Sequence, residues 1–96
     1  MDIALYRSST DDELAAAVAN GDRIAFAEIY DRLAPRVLGR VMAEIADTRQ
    51  AEELVFHTFV EFWRQAPRID RSRGSAAAWL FTAARARPVG PETAVA

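Results

Sequence analysis

Glu53, His57 and Glu61 follow one another at intervals of four residues, a spacing that sets two carboxylates and an imidazole along one face of a helix. Such a row could hold a divalent metal, or it could be a polar face turned to water. With a single imidazole in the chain, the solvated face is the better reading, and no metal site is assigned. Little else could do covalent chemistry. The chain has one His, no Cys, no Lys and no glycine-rich phosphate loop, so a converging set of catalytic groups is not expected. It is read as non-enzymatic and without a cofactor.

A second group of residues suits binding. Arg64, Arg68, Arg71, Arg73, Arg85 and Arg87 lie in one segment with Trp63 and Trp79 between them. Cations for phosphate and flat side chains for unstacked bases are what a nucleic-acid surface needs. The plain alternative is a solvated basic loop with both tryptophans packed in the core. The charge balance sharpens the contrast. Up to Phe62 there are twelve carboxylates against six arginines, a balance of −6, whereas Trp63 to Arg87 carries six arginines against Asp70, a balance of +5. Two halves of opposite sign should meet different partners. Every basic residue is Arg, which suits planar contacts to phosphate or carboxylate but can also reflect coding composition.

These residues need a scaffold, and 96 residues provide one domain. A hydrophobic share of 51%, with four Gly and four Pro, is enough to bury a core. No apolar run approaches the ~20 residues of a membrane span. The start Met1-Asp2-Ile3-Ala4 lacks the basic opening of a signal peptide. A cytoplasmic protein without membrane insertion is expected, and the absence of Cys fits a reducing compartment.

Four helices are predicted in order. Thr10-Asp11-Asp12-Glu13 is a capping box that starts the first, with Leu14, Ala17 and Val18 on one face and a stop at Asn20-Gly21. Asp22 caps a second, whose apolar stripe runs from Ile24 to about Ala46; Pro35 inside it predicts a kink near Asp31 or two helices joined end to end. After Asp47-Thr48 a third helix reaches about Ala66, where Pro67 stops it. A basic, breaker-containing loop follows to Gly74. Ser75 then caps a short fourth helix that presents Trp79, Leu80 and Ala83 on one face and ends before Pro88. Residues 1–9 are expected to be a flexible N-terminus, 10–87 the helical domain, and 88–96 a disordered tail. The predicted core is Phe26, Ile29, Leu33, Val37, Val41, Leu54, Phe59, Trp63, Trp79 and Leu80.

The order of several short motifs carries more information than any one of them. They are Asp22-Arg23-Ile24-Ala25-Phe26-Ala27-Glu28-Ile29-Tyr30, Ala34-Pro35-Arg36-Val37, Ala51-Glu52-Glu53-Leu54-Val55, Thr58-Phe59, Phe62-Trp63, Arg68-Ile69-Asp70, Arg73-Gly74-Ser75 and Ala78-Trp79-Leu80. Over about Asp11 to Arg85 this succession resembles the second conserved region of extracytoplasmic-function (ECF) sigma factors. Trp63 to Pro67 and Gly74 to Leu80 are similar to the group that includes actinobacterial members controlled by membrane anti-sigma proteins. The resemblance implies an all-α fold of the sigma factor region 2 type, a compact bundle of three main helices plus a short fourth.

It also implies partners. The acidic third helix would dock on the clamp helices of the RNA polymerase β′ subunit through Glu52, Glu53, Leu54, Phe56, His57 and Thr58, with Phe59 at or beneath the contact. Arg64, Arg68, Arg71, Arg73 and Ser75 would engage the non-template strand of the promoter minus-ten element and hold a base turned out of the stack. Arg85 and Arg87 would meet phosphates. An anti-sigma factor covering these surfaces is the implied regulator. Two departures stand out. The family's usual Gln-Glu is Phe56-His57 here, and Pro88-Val89-Gly90-Pro91 interrupts a helix that ordinarily continues. The helix-turn-helix that reads the minus-thirty-five element has no counterpart in this sequence, so the chain is not expected to start transcription alone. A rival reading remains: a degenerate sigma-like interaction module that pairs with itself or with an anti-sigma protein and never touches DNA.

Overall fold

The computed structural model describes residues 6–86, and within them the architecture is all-α. Helix α1 spans Asp11–Ala19, α2 Arg23–Met42, α3 Thr48–Gln65 and α4 Ala76–Ala86. Two single 3-10 turns, Ala66–Arg68 and Arg71–Arg73, shape the segment between α3 and α4. The expected all-α bundle of four helices is what the described residues form, with α1 (9 residues) and α4 (11 residues) both shorter than α2 and α3. Arg87 and the 88–96 tail lie outside the described residues.

Each helix begins where a side chain can take up its orphan N–H groups. The Thr10 hydroxyl accepts from Glu13 N at 3.0 Å while the Glu13 carboxylate accepts from Thr10 N at 2.8 Å, a complete capping box. Asp22 accepts from Ile24 N and Ala25 N at the start of α2, and Asp47 accepts from Gln50 N at the start of α3. Of the two cap candidates before α3, Asp47 serves and Thr48 is the first helical residue. The α1–α2 corner turns on Gly21 at φ 85°, a left-handed conformation that costs glycine little.

Pro35 does not divide α2. The helix runs through it as one element, because the buried stripe Ala25, Ile29, Leu33, Val37 and Val41 steps by four and leaves Pro35 on the exposed side. The helix ends at Met42, short of the expected Ala46. Ala43 and Glu44 close it with bonds to Arg40 and Val41 carbonyls, and the turn folds Ile45 back toward the core.

The core lies where all four helices meet. Phe59, Phe62, Leu14, Ile29, Leu33, Leu80, Val18 and Val37 are its largest enclosed side chains. Leu14, Val18 and Phe62 were not in the predicted set. Phe26, Trp63 and Trp79, which were, sit half-buried at its edge. Phe26 stacks edge-on against Trp63 at 5.4 Å between centroids, and Trp79 tilts against Phe62 at 5.7 Å. Both tryptophans thus cover the core rather than fill it, as large rings with a polar edge tend to do. On α1 the buried partner of Leu14 and Val18 is Ala15 rather than Ala17, and on α4 the buried row is Ala76, Leu80 and Ala84 rather than the Trp79, Leu80 and Ala83 face.

Residues 6–9, expected to be part of a flexible N-terminus, are held to α2 by two side chains, Arg32 foremost. The Arg32 guanidinium donates to the carbonyls of Tyr6, Arg7 and Ser9 and to the carboxylates of Asp11 and Glu28, at 2.7–3.2 Å. Tyr6 adds a hydrogen bond from its hydroxyl to the Asp22 carboxylate.

Candidate functional site

The amphipathic spacing of α3 sorts its predicted contact residues into two groups. Glu52, Glu53, Phe56, His57 and Val60 fall on the outward face and are exposed, with Phe56 at 54% of its full accessible area. Its ring meets that of His57 edge-on at 5.5 Å. Leu54 and Thr58 face inward. Thr58 is fully enclosed and donates its hydroxyl to the Leu54 carbonyl at 2.7 Å, and Phe59 beneath it packs edge-on against Tyr30 at 4.7 Å. On this outward face neither Leu54, Thr58 nor Phe59 offers a surface to a partner: they set the face rather than belong to it.

A groove of about 430 Å³ runs beside that face between α2 and α3, lined by Tyr30, Asp31, Ala34, Pro35, Leu38, Glu52 and Val55. Its walls are apolar and its two charges, Asp31 and Glu52, are both negative. Pro35 has no N–H, so the Asp31 carbonyl lacks its i+4 helical donor. The α2 half of this groove was missed in the sequence. There Asp31 and Pro35 stand out only through an expected kink and a short motif.

The Glu53, His57 and Glu61 row, to which no metal is assigned, does not converge. Glu53 pairs with Arg49 at 3.5 Å, while Glu61 accepts from Gln65 at 2.7 Å and faces Arg64 at 3.8 Å. Among the described residues, no three His, Asp or Glu side chains are placed to share an ion.

Past α3 the chain presents the basic segment on an irregular backbone that two aligned caps hold in shape. The Asp70 carboxylate accepts from Ser72 Oγ at 2.6 Å and Ser72 N at 3.1 Å, and these bonds, the hydroxyl first, pull its pKa below the ordinary value. Ser75 Oγ accepts from Ala78 N at 3.1 Å and caps α4. Between them opens a hollow of about 210 Å³ lined by Ile69, Asp70, Arg73, Gly74, Ser75, Ala78, Trp79 and Thr82. That is below the range of roughly 300 Å³ upward typical of small-molecule sites.

The structure gathers only part of the predicted basic set here. Arg73 and Ser75 line the hollow; Arg64, Arg68 and Arg71 are exposed but do not line it, Arg68 donating to the Arg64 carbonyl at 3.4 Å and Arg71 bordering a separate small hollow with Ala15 and Phe62. Arg85 stands roughly 15 Å further along α4 from Ser75, at about 1.5 Å per residue, and belongs to a separate concavity. Asp70, Ala78 and Thr82 were not anticipated. Arg87 lies outside the described residues.

The described residues thus pair an acidic helix face with a basic, capped loop before a fourth helix. The family model described as Sigma-70 region 2 matches residues 29–87, more than half of the chain, and the chain belongs to that family. Sigma factors are transcription initiation factors and not enzymes.

The chain is similar over 82 residues, at 45% identity, to the ECF RNA polymerase sigma factor SigK of Mycobacterium bovis (strain BCG / Pasteur 1173P2), a match covering 85% of this chain and 44% of the relative. The protein of the same name from Mycobacterium ulcerans (strain Agy99) is 39% identical over 83 residues, covering 86% and 44%. That of Mycobacterium sp. (strain KMS) is 40% identical over 78 residues, covering 81% and 40%. The chain therefore spans less than half the length of these curated relatives. No solved structure matches it. Among the described residues, no helix is long and apolar enough to cross a membrane.

Proposed function

We propose that this chain is the region 2 part of an ECF sigma factor that acts in transcription initiation at RNA polymerase in the cytoplasm. In this reading α3 docks on the β′ clamp helices through Glu52, Glu53, Phe56 and His57, and the α2–α3 groove extends the contact to Asp31. The loop from Ala66 to Ser75 and the start of α4 hold the non-template strand of the minus-ten element, with one base turned out into the hollow at Trp79. Turning a base out costs a few kcal/mol, so a shaped hollow and nearby cations are both required. An anti-sigma protein covering these faces would silence them. The observation that carries the reading is the family match over residues 29–87, which spans the acidic face and the basic loop together.

The test is a pull-down of the chain by the β′ clamp helices, wild type beside a Glu52→Gln, Glu53→Gln double variant. Capture of wild type and loss of the variant is expected. Failure of wild type to bind would overturn the polymerase reading and leave the second one, a helical interaction module. The 54% exposure of Phe56, with Val60 one turn on, favours that second reading. Concentration-dependent dimerisation abolished by Phe56→Gln would support it.

A further inference from the structure

The third concavity takes no part in the function proposed above. It measures about 420 Å³ and lies where the end of α2, the first turns of α3 and the second half of α4 meet. Its floor is apolar, with Val41, Ile45, Leu54 and Phe81 contributing. Its charged groups are Arg40, Arg85 and a single carboxylate, Glu44. The Arg40 guanidinium lies over the Phe81 ring at 4.5 Å from the centroid, and that of Arg36 approaches the same ring at 5.9 Å. Stacking holds a guanidinium flat and leaves its edge donors directed outward. Among the described residues, none of Arg36, Arg40 and Arg85 makes an ion pair within 4.0 Å.

An apolar floor under unpaired cations selects a ligand that brings both an apolar side chain and carboxylates. Nucleic acid supplies the charge but little to fill the floor; an amphipathic helix with acidic flanks supplies both. The geometry points to this groove as a docking site for an acidic amphipathic helix of a partner protein. It lies on a different flank of α2 from the acidic Asp31–Glu52 groove, and the opposite sign of the two means that one helix does not suit both. A partner seated here leaves the α3 face free.

The test titrates the full chain with a designed helical peptide carrying a leucine stripe flanked by glutamates, beside its lysine counterpart and a short DNA duplex, with backbone amide shifts as the readout. The acidic peptide is expected to move Val41, Ile45 and Phe81. Arg40→Glu is expected to weaken it about ten-fold or more, Arg40→Lys much less, while clamp-helix capture by the same variants stays at the wild-type level. Binding of the lysine peptide with equal affinity, shifts mapping elsewhere, or the same groove responding to the duplex would each overturn the proposal. So would contacts from Val89 or Val95 to the Phe81 ring in the free chain, or dimerisation through this groove, since its occupant would then be the chain's own last residues or a second copy.

Discussion

From Phe56 to Phe59 the side chains pass from solvent to core within one turn of helix, so neighbours in sequence have separate tasks. Phe56 and His57 are free to touch another molecule, while Thr58 and Phe59 are closed off. Thr58→Val removes a hydroxyl whose only partner among the described residues is the Leu54 carbonyl, an acceptor still served by the helix backbone. The expected outcome is unchanged clamp-helix capture and a stability change within about 1 kcal/mol, read from denaturant unfolding with both proteins at one concentration. Loss of capture without loss of stability would show that Thr58 reaches the partner after all. Motif position alone could not separate these residues, because a short motif marks a stretch of chain and only the helical phase tells which members look outward.

At the scale of elements, caps and stripes were legible and boundaries less so. The Thr10–Glu13 box, the Asp22 cap and the Asn20-Gly21 stop follow from local chemistry and fall where the residues put them. The end of α2 did not, because the apolar spacing continues through Ile45 while the backbone has already turned at Ala43. The α2 wall of the acidic groove was invisible for a related reason: it exists only once α3 packs beside it.

Asp22 joins two elements, capping α2 and accepting from the Tyr6 hydroxyl. The Tyr6 bond first, then the Ala25 amide, hold its carboxyl below the ordinary value of 3.8. A depressed folded-state value means that the contribution to stability is present above that ordinary value and is lost as pH falls through the lower, folded one. Thermal unfolding followed from neutral to acid pH should therefore show wild type losing stability more steeply than Asp22→Asn at the acid end. Equal slopes would mean that the carboxylate contributes nothing there. Tyr6, whose phenol the same bond raises, contributes at the alkaline end in the opposite sense, its share being lost as pH rises through its folded value.

At the scale of the whole molecule, a net charge of −2 conceals a division that governs behaviour in salt. If the loop and α4 hold single-stranded DNA, binding of the minus-ten strand in the presence of polymerase core should weaken with salt. Replacing Arg71 and Arg73 together should then lower the slope of log affinity against log salt by about 1.4, at about 0.7 per phosphate lost. A slope that does not change would remove these two arginines from the DNA surface. The sign asymmetry behind this experiment was readable by counting along the chain. What counting could not supply was the separation of Arg73 from Arg85, or the company Arg85 keeps with Arg40, since Arg40 belongs to the acidic half by sequence and to the basic rim by packing.

The five acceptors gathered by Arg32 also order events in time. Its bonds to Tyr6, Arg7, Ser9 and Asp11 close loops of 21 to 26 residues. As the chain emerges from the ribosome, α1 can coil on its own capping box, but the segment ahead of it has no anchor until Arg32 follows. The α1–α2 contacts are therefore the first long-range contacts open to the growing chain, and a nascent chain cut before Arg32 lacks the α2 part of the cover over Leu14, Ala15 and Val18.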